Sequence, residues 1–246
     1  AVTAPDRPRS PRVVRRVPTG GDGGFSWSML NPAALWAAIR PHLGLGRGAA
    51  PEPIDTPEAL GRFLDSRASF VAQTSLYGYL RTRAGMRYPE LFDDDAFIVS
   101  VNIAKWQLWL DCLADLAVYA GSRAAQRSPR QLQQTATLMS AVVDEVLARA
   151  GTPADAGGEF TAHADRVRSR VARTDWLAVG DGEAAFTASP AGLVRWAPVM
   201  DELKQLDEEI VLNSVRFRWQ QVRRDLARHL DVEALLAAPP APATRP

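Results

Sequence analysis

Residues 93–121, DDDAFIVSVNIAKWQLWLDCLADLAVYAG, decide the fold. Three acids at the start suit the positive end of a helix, and a glycine at the finish suits its stop. At ~100° per residue, Ser100, Gln107, Asp111, Asp115 and Ser122 fall in one narrow polar stripe. The rest of the circumference is apolar: Phe97, Ile98, Val101, Ile103, Trp106, Trp109, Leu110, Leu113, Leu116 and Val118. A helix apolar on most sides must be packed on most sides, so this segment is the axle of a helical bundle with its polar stripe facing water. Asn102 and Lys105, three residues apart on one face, break the pattern by projecting roughly opposite that stripe.

Working outward, a residue that can cap a helix, followed by proline, recurs at Asn31-Pro32, Thr56-Pro57, Ser128-Pro129, Thr152-Pro153 and Ser189-Pro190, with Ala197-Pro198 a weaker case. The Asn, Ser or Thr side chain accepts from an early helix amide, and proline beside it lacks only an N–H that would be unpaired anyway. No stretch alternates strictly in the manner of a half-exposed strand. The fold class expected is all-α: a single bundle of six or seven helices over residues 55–238, with a long C-terminal helix. Residues 1–54 read as a disordered basic tail, with five arginines before Gly20, plus a short tethered amphipathic helix; residues 239–246 read as a disordered tail.

The helices expected run from Pro32 to about Leu43, Pro57 to about Ala84, 93–121, Pro129 to Ala150 and 158 to about 174. A short one then starts at Ser189-Pro190, and a long one at Ala197-Pro198 ends near Leu230. In the second, Arg67 falls within the apolar stripe, either as part of a pocket with Asn102 and Lys105 or as the ion-pair partner of Glu90 or Asp201. In the fifth, Phe160, Ala164, Val167 and Val171 face inward while Arg166, Arg168, Arg170 and Arg173 share the other face. The last helix carries two apolar stripes. One is Val199, Leu203, Leu206, Ile210, Ser214 and Phe217; the other is Leu212, Val215, Trp219, Val222, Leu226 and Leu230. Two stripes imply two packing partners, one of them a second subunit, with Leu212, Val215, Trp219 and Val222 the expected partner contact. Its acidic first half and basic second half suit an antiparallel homodimer.

A net charge of +1 over 246 residues gives no global argument for nucleic acid or an anionic surface, and nucleic acid is not an expected partner. All but two of the 29 basic residues are arginine, a bias suggesting a GC-rich bacterial genome. The lone Cys112 sits in the apolar helix and suits a reducing, cytoplasmic setting. Arg15-Arg16 ahead of Phe25–Ile39 is no export signal, because glycines and Asn31-Pro32 interrupt it. Phe25, Trp27, Leu35, Trp36 and Ile39 behind the basic tail could instead lie against a membrane surface, dock on a partner, or fold back on the bundle.

Catalytic and metal signatures are incomplete. Asp111-x-x-x-Asp115 has the spacing with which all-α isoprenoid diphosphate enzymes hold magnesium, but those use two facing pairs and no second pair occurs. Glu159 and His163 face one way on a helix and find no third ligand. The nearest approach to a nucleophile elbow, Gly24-Phe25-Ser26-Trp27-Ser28, lacks its final glycine. No cofactor or metal is expected. The one polar constellation that could take a small anionic ligand is Arg67, Asn102 and Lys105.

Those residues also lie within a resemblance. Residues 66–73 (SRASFVAQ), Leu76-Tyr77-Gly78-Tyr79, residues 83–89 (RAGMRYP), Phe92-Asp93-Asp94 and Asn102-Ile103-Ala104-Lys105 resemble a family of uncharacterised bacterial all-helical proteins, some carrying the product name "esterase". The likeness spans about residues 55–122. It implies a helical fold and, through the name, a hydrolase pocket around Lys105. The expected function is a non-enzymatic protein-interaction or assembly factor, homodimeric through the C-terminal helix or bound to another protein. The alternative is an esterase-like hydrolase at Lys105.

Overall fold

The computed structural model describes residues 52–180 and 182–237. Among them are seven α-helices: α1 Pro57–Ala84, α2 Asp95–Arg127, α3 Leu132–Ala150, α4 Phe160–Ala172, α5 Ala188–Trp196, α6 Asp201–His229 and α7 Val232–Ala237. The described residues form no strand, and one isolated parallel bridge joins Ile54 to Leu230. The chain is all-α, as its punctuation predicts. The segment 1–51, with the helix expected at Pro32–Leu43 and the contacts expected of Phe25, Trp27, Leu35, Trp36 and Ile39, lies outside the described residues, as does the tail beyond 237.

The axle is α2. Its 33 residues make a rod of about 50 Å, and α1, α3, α4 and α5 all pack on it. From Gln107 to Ser122 every residue except Asp111 is buried. The N-terminus is capped as its acids suggest, the Asp94 carboxylate accepting from the amides of Ala96 and Phe97. The C-terminus differs from expectation. The helix runs through Gly121 to Arg127 and stops at Ser128, ahead of Pro129. Gly121 is a packing residue rather than a stop signal: a Cβ there would lie 2.2 Å from the Trp176 ring, so only glycine lets that indole rest on the helix backbone.

Thr56 caps α1 as expected, its Oγ1 accepting from Ala59 N at 3.2 Å. Thr152-Pro153 starts no helix. Residues 151–159 instead cross the flank of α2, and α4 begins at Phe160. The long C-terminal helix is α6, which packs on α5 and α1. At its end Ile54 N donates to His229 O and Asp231 N donates to Ile54 O, clipping the start of the described chain to the end of α6. The short α7, not foreseen in the sequence, then buries Val232, Leu235 and Leu236. No helix of the described residues is long and apolar enough to cross a membrane.

Gly121→Ala would normally add about 1 kcal/mol of helix propensity. Here the new methyl group meets Trp176, and the net result expected is a loss of about 1–3 kcal/mol in urea unfolding. Most of that loss should vanish in a Trp176→Ala background.

Candidate functional site

The polar stripe of α2 does not face water. Ser100 alone is exposed; Gln107, Asp115 and Ser122 are fully buried, and the Asp111 side chain is 13% exposed. Helix α4, helix α5 and the two connecting loops cover that face. Each of the other stripe residues meets a partner brought by one of them, which is how burial of so much polarity is tolerated.

Asp115 is the most heavily engaged. Its Oδ1 accepts from Arg170 Nη1 at 2.6 Å and from the Ala188 amide at 3.1 Å. Its Oδ2 accepts from the Ser189 amide at 2.7 Å and from Ser189 Oγ at 2.6 Å. Four donors and no acceptor face this carboxylate, an arrangement that fits its ionised form. Burial pushes the Asp115 carboxyl above the ordinary aspartate range, while Arg170 and the Ser189 donors pull it back. The amides of Ala188 and Ser189 are the first two of α5, so Asp115 caps that helix from α2, and its charge lies at the positive end of the α5 dipole. Ser189, expected to cap its own helix, gives its hydroxyl proton to Asp115 and accepts from Trp219 Nε1 of α6 at 2.9 Å. Arg170, expected on the outer face of α4 with its neighbours, turns inward instead. Its Nη2 donates to Ala185 O at 2.8 Å.

One turn earlier on α2, a second set repeats the logic. Gln107 Nε2 donates to Ala156 O at 3.1 Å, which leaves Gln107 Oε1 as an acceptor. His163 Nδ1 lies 2.7 Å from that oxygen and is therefore an N–H donor. The other ring nitrogen, Nε2, lies 2.9 Å from Asp111 Oδ1. With an acceptor against each ring nitrogen, a proton must sit between Nε2 and Oδ1. Neither nitrogen is left free to act as a base on a substrate. The Trp196 ring stacks on the imidazole at 6.4 Å, and Gly192 admits the Asp111 carboxylate, since a Cβ there would be 2.2 Å from Oδ2. Ser122 ends the series, its Oγ donating to Gly180 O at 3.4 Å. Cys112, between the two acids, is completely buried, and burial pushes its thiol well above the usual range.

The residues singled out as a ligand pocket take separate partners. Arg67 pairs with Asp225 of α6 at 3.4 Å, not with Glu90 or Asp201, which engage Arg87 and Lys204. Lys105 lies 3.6 Å from Asp155 and 3.5 Å from Asn102 Oδ1, its amine over the ring of Trp106. Trp106 Nε1 donates to the same Asp155 at 2.7 Å. The carboxylate that faces Lys105 thus comes from the 151–159 loop. A shallow hollow of about 400 Å³ does exist, between Arg127, Arg228, His229, Asp231 and Glu233. None of Arg67, Asn102 or Lys105 lines it. Among the described residues, no group of three or more His, Cys, Asp or Glu is placed to hold a metal ion.

The faces of α6 are assigned the other way round from the expected partner contact. Val215, Trp219 and Val222 lie in the chain's own core, with Leu212 half-buried beside them. The indole of Trp219 stacks on Phe186 at 4.8 Å. The stripe left outside is the other one: Leu206 is 78% exposed, Ile210 73% and Phe217 71%. Leu203 is half-buried at its edge. Comparison with protein-family models, with curated proteins and with solved structures found no match.

The two kinds of polar contact should separate cleanly in urea unfolding. Asp115→Ala strands Arg170, Ser189 and the first α5 amides, and is expected to cost about 3–5 kcal/mol. Lys105→Ala removes a contact to the half-exposed Asp155 and is expected to cost less than about 1 kcal/mol.

Proposed function

We propose that this chain is a non-enzymatic protein-interaction or assembly factor, and that its working surface is the outer face of α6. The observation carrying the reading is the exposed row Leu206, Ile210 and Phe217. At ~100° per residue the three fall within about 40° of one another, nearly opposite the buried Val211, Val215, Trp219, Val222 and Leu226. Three large apolar side chains in one row on a helix are the form in which helices present themselves to partner helices. Covering each such side chain is worth about 1.5–3 kcal/mol.

The polar chemistry of the chain supports the same reading by being turned inward. The carboxylate of Asp115, the imidazole of His163 and the hydroxyl of Ser189 are each saturated by neighbours within the bundle. Around Lys105, the site of the rival hydrolase reading, the amine faces Asp155. The nearby Tyr77 phenol, held in part by the field of that same carboxylate, is pushed up to about 12 by burial first. A phenol so reluctant to ionise is a poor nucleophile or base.

A photo-reactive amino acid placed at Leu206, Ile210 or Phe217 of the full chain in its own cells should give a discrete cross-linked product. The same probe at Glu233, on α7, should not. If all three α6 positions stay uncross-linked at native expression level, the reading fails.

A further inference from the structure

Resting on that reading, we infer that the partner covering the outer face of α6 is a second copy of this chain, its α6 running antiparallel to the first. The row has the spacing of a short coiled-coil seam. Leu203, Leu206, Ile210, Asn213, Phe217 and Gln220 follow one another at intervals of 3, 4, 3, 4 and 3. The register of that seam complements itself about a two-fold axis between residues 211 and 212. Leu206 meets Phe217 of the second copy, Ile210 meets Asn213, and each contact occurs twice, as a two-fold interface requires. Asn213, a polar residue at the centre of the seam, faces Ile210 of the second copy and costs the pair some stability.

Charge selects the direction. The first half of α6 carries Asp201, Glu202, Asp207, Glu208 and Glu209, and the second half carries Arg216, Arg218, Arg223, Arg224 and Arg228. Apart from Lys204, held by Asp201, and Asp225, held by Arg67, a parallel, in-register pair would set acid against acid and arginine against arginine. An antiparallel pair sets each half against its opposite. Not all of these charges are available: Asp207 is held by Arg83 at 2.6 Å, and Arg223 lies over the Tyr119 ring. The flank of the seam is left to Glu202 and Glu209, both exposed, and to Arg216 and Arg224. In the antiparallel register Glu209 stands beside Arg216 of the second copy, and Glu202 within a turn of Arg224 of the second copy. Among the described residues Arg216 reaches Asn213 of its own helix, at 3.2 Å on the exposed surface.

Sedimentation equilibrium of the full chain and its charge-reversal variants tests this directly. The wild type should dimerise. Glu209→Arg and Arg216→Glu should each weaken the dimer by about tenfold or more, because each places two like-charged pairs across the two-fold axis. The double variant should recover most of the wild-type affinity. All four proteins should share one circular dichroism spectrum and melting midpoint when monomeric, since both residues lie away from the core.

A dimer indifferent to the single reversals, or not restored by the double, overturns the antiparallel assignment. A monomer throughout, with a photo-cross-link from Leu206 to a different protein or to residues 25–39 of the same chain, overturns the second copy and leaves the interaction face standing. A monomer throughout with no cross-link at Leu206, Ile210 or Phe217 removes both.

Discussion

The bundle depends on one buried carboxylate. Asp115 sits at the middle of the axle helix and is fully enclosed, yet it joins four elements: α2, which carries it, α4 through Arg170, the amide end of α5, and α6 through Ser189 and Trp219. Enclosing a charge is costly, and that cost is offset only where the donors are complete and correctly aimed. Here a guanidinium, two helix amides and a hydroxyl all converge on it. The requirement works in reverse as well. Any packing of α4, α5 and α6 that leaves Asp115 short of donors is penalised, so the carboxylate selects one arrangement among the many that would bury the same apolar area.

Much of this was legible in the sequence. The cap–proline pairs and the 3.6-residue periodicity gave the all-α class and the long α6, and placed both ends of α1. The polar stripe of α2 was seen, but its surroundings were not. A narrow polar row on an apolar helix has the same sequence signature whether water or protein donors satisfy it. What could have distinguished them lay elsewhere in the chain. His163 and Arg170, seven residues apart on one flank of α4, supply the complementary groups, and Gly192 is the residue that allows α5 to approach Asp111. Reading Arg170 as one more surface arginine concealed the match. Gly121 misled for a related reason: a glycine that admits an indole and a glycine that ends a helix look alike until Trp176 is placed.

The same ambiguity governed α6. Both of its apolar stripes show in the sequence, but periodicity alone does not say which is the core face, and the Leu212–Val222 stripe expected at the partner is the buried one. Trp219 settles the matter, because its indole N–H needs an internal acceptor and finds one in the Ser189 hydroxyl, which itself donates to Asp115. Once Trp219 is committed inward, Leu206, Ile210 and Phe217 are necessarily outward, on the side where α1, α3, α4 and α5 are absent. Asp207, through Tyr79 and Arg83, and Asp225, through Arg67, tether α6 to α1 at two points along its length. A helix held in this way offers its outer row on a fixed scaffold rather than a loose arm, which lowers the ordering cost of association.

The claim that this outer row is where the chain meets a second copy of itself is tested most directly by amide hydrogen exchange of the full chain across a hundredfold range of concentration. The account predicts that protection rises with concentration in peptides covering residues 203–217, while α2 peptides around Asp115 exchange at one slow rate throughout. Exchange in 203–217 that ignores concentration, or new protection that appears on another face, would contradict it.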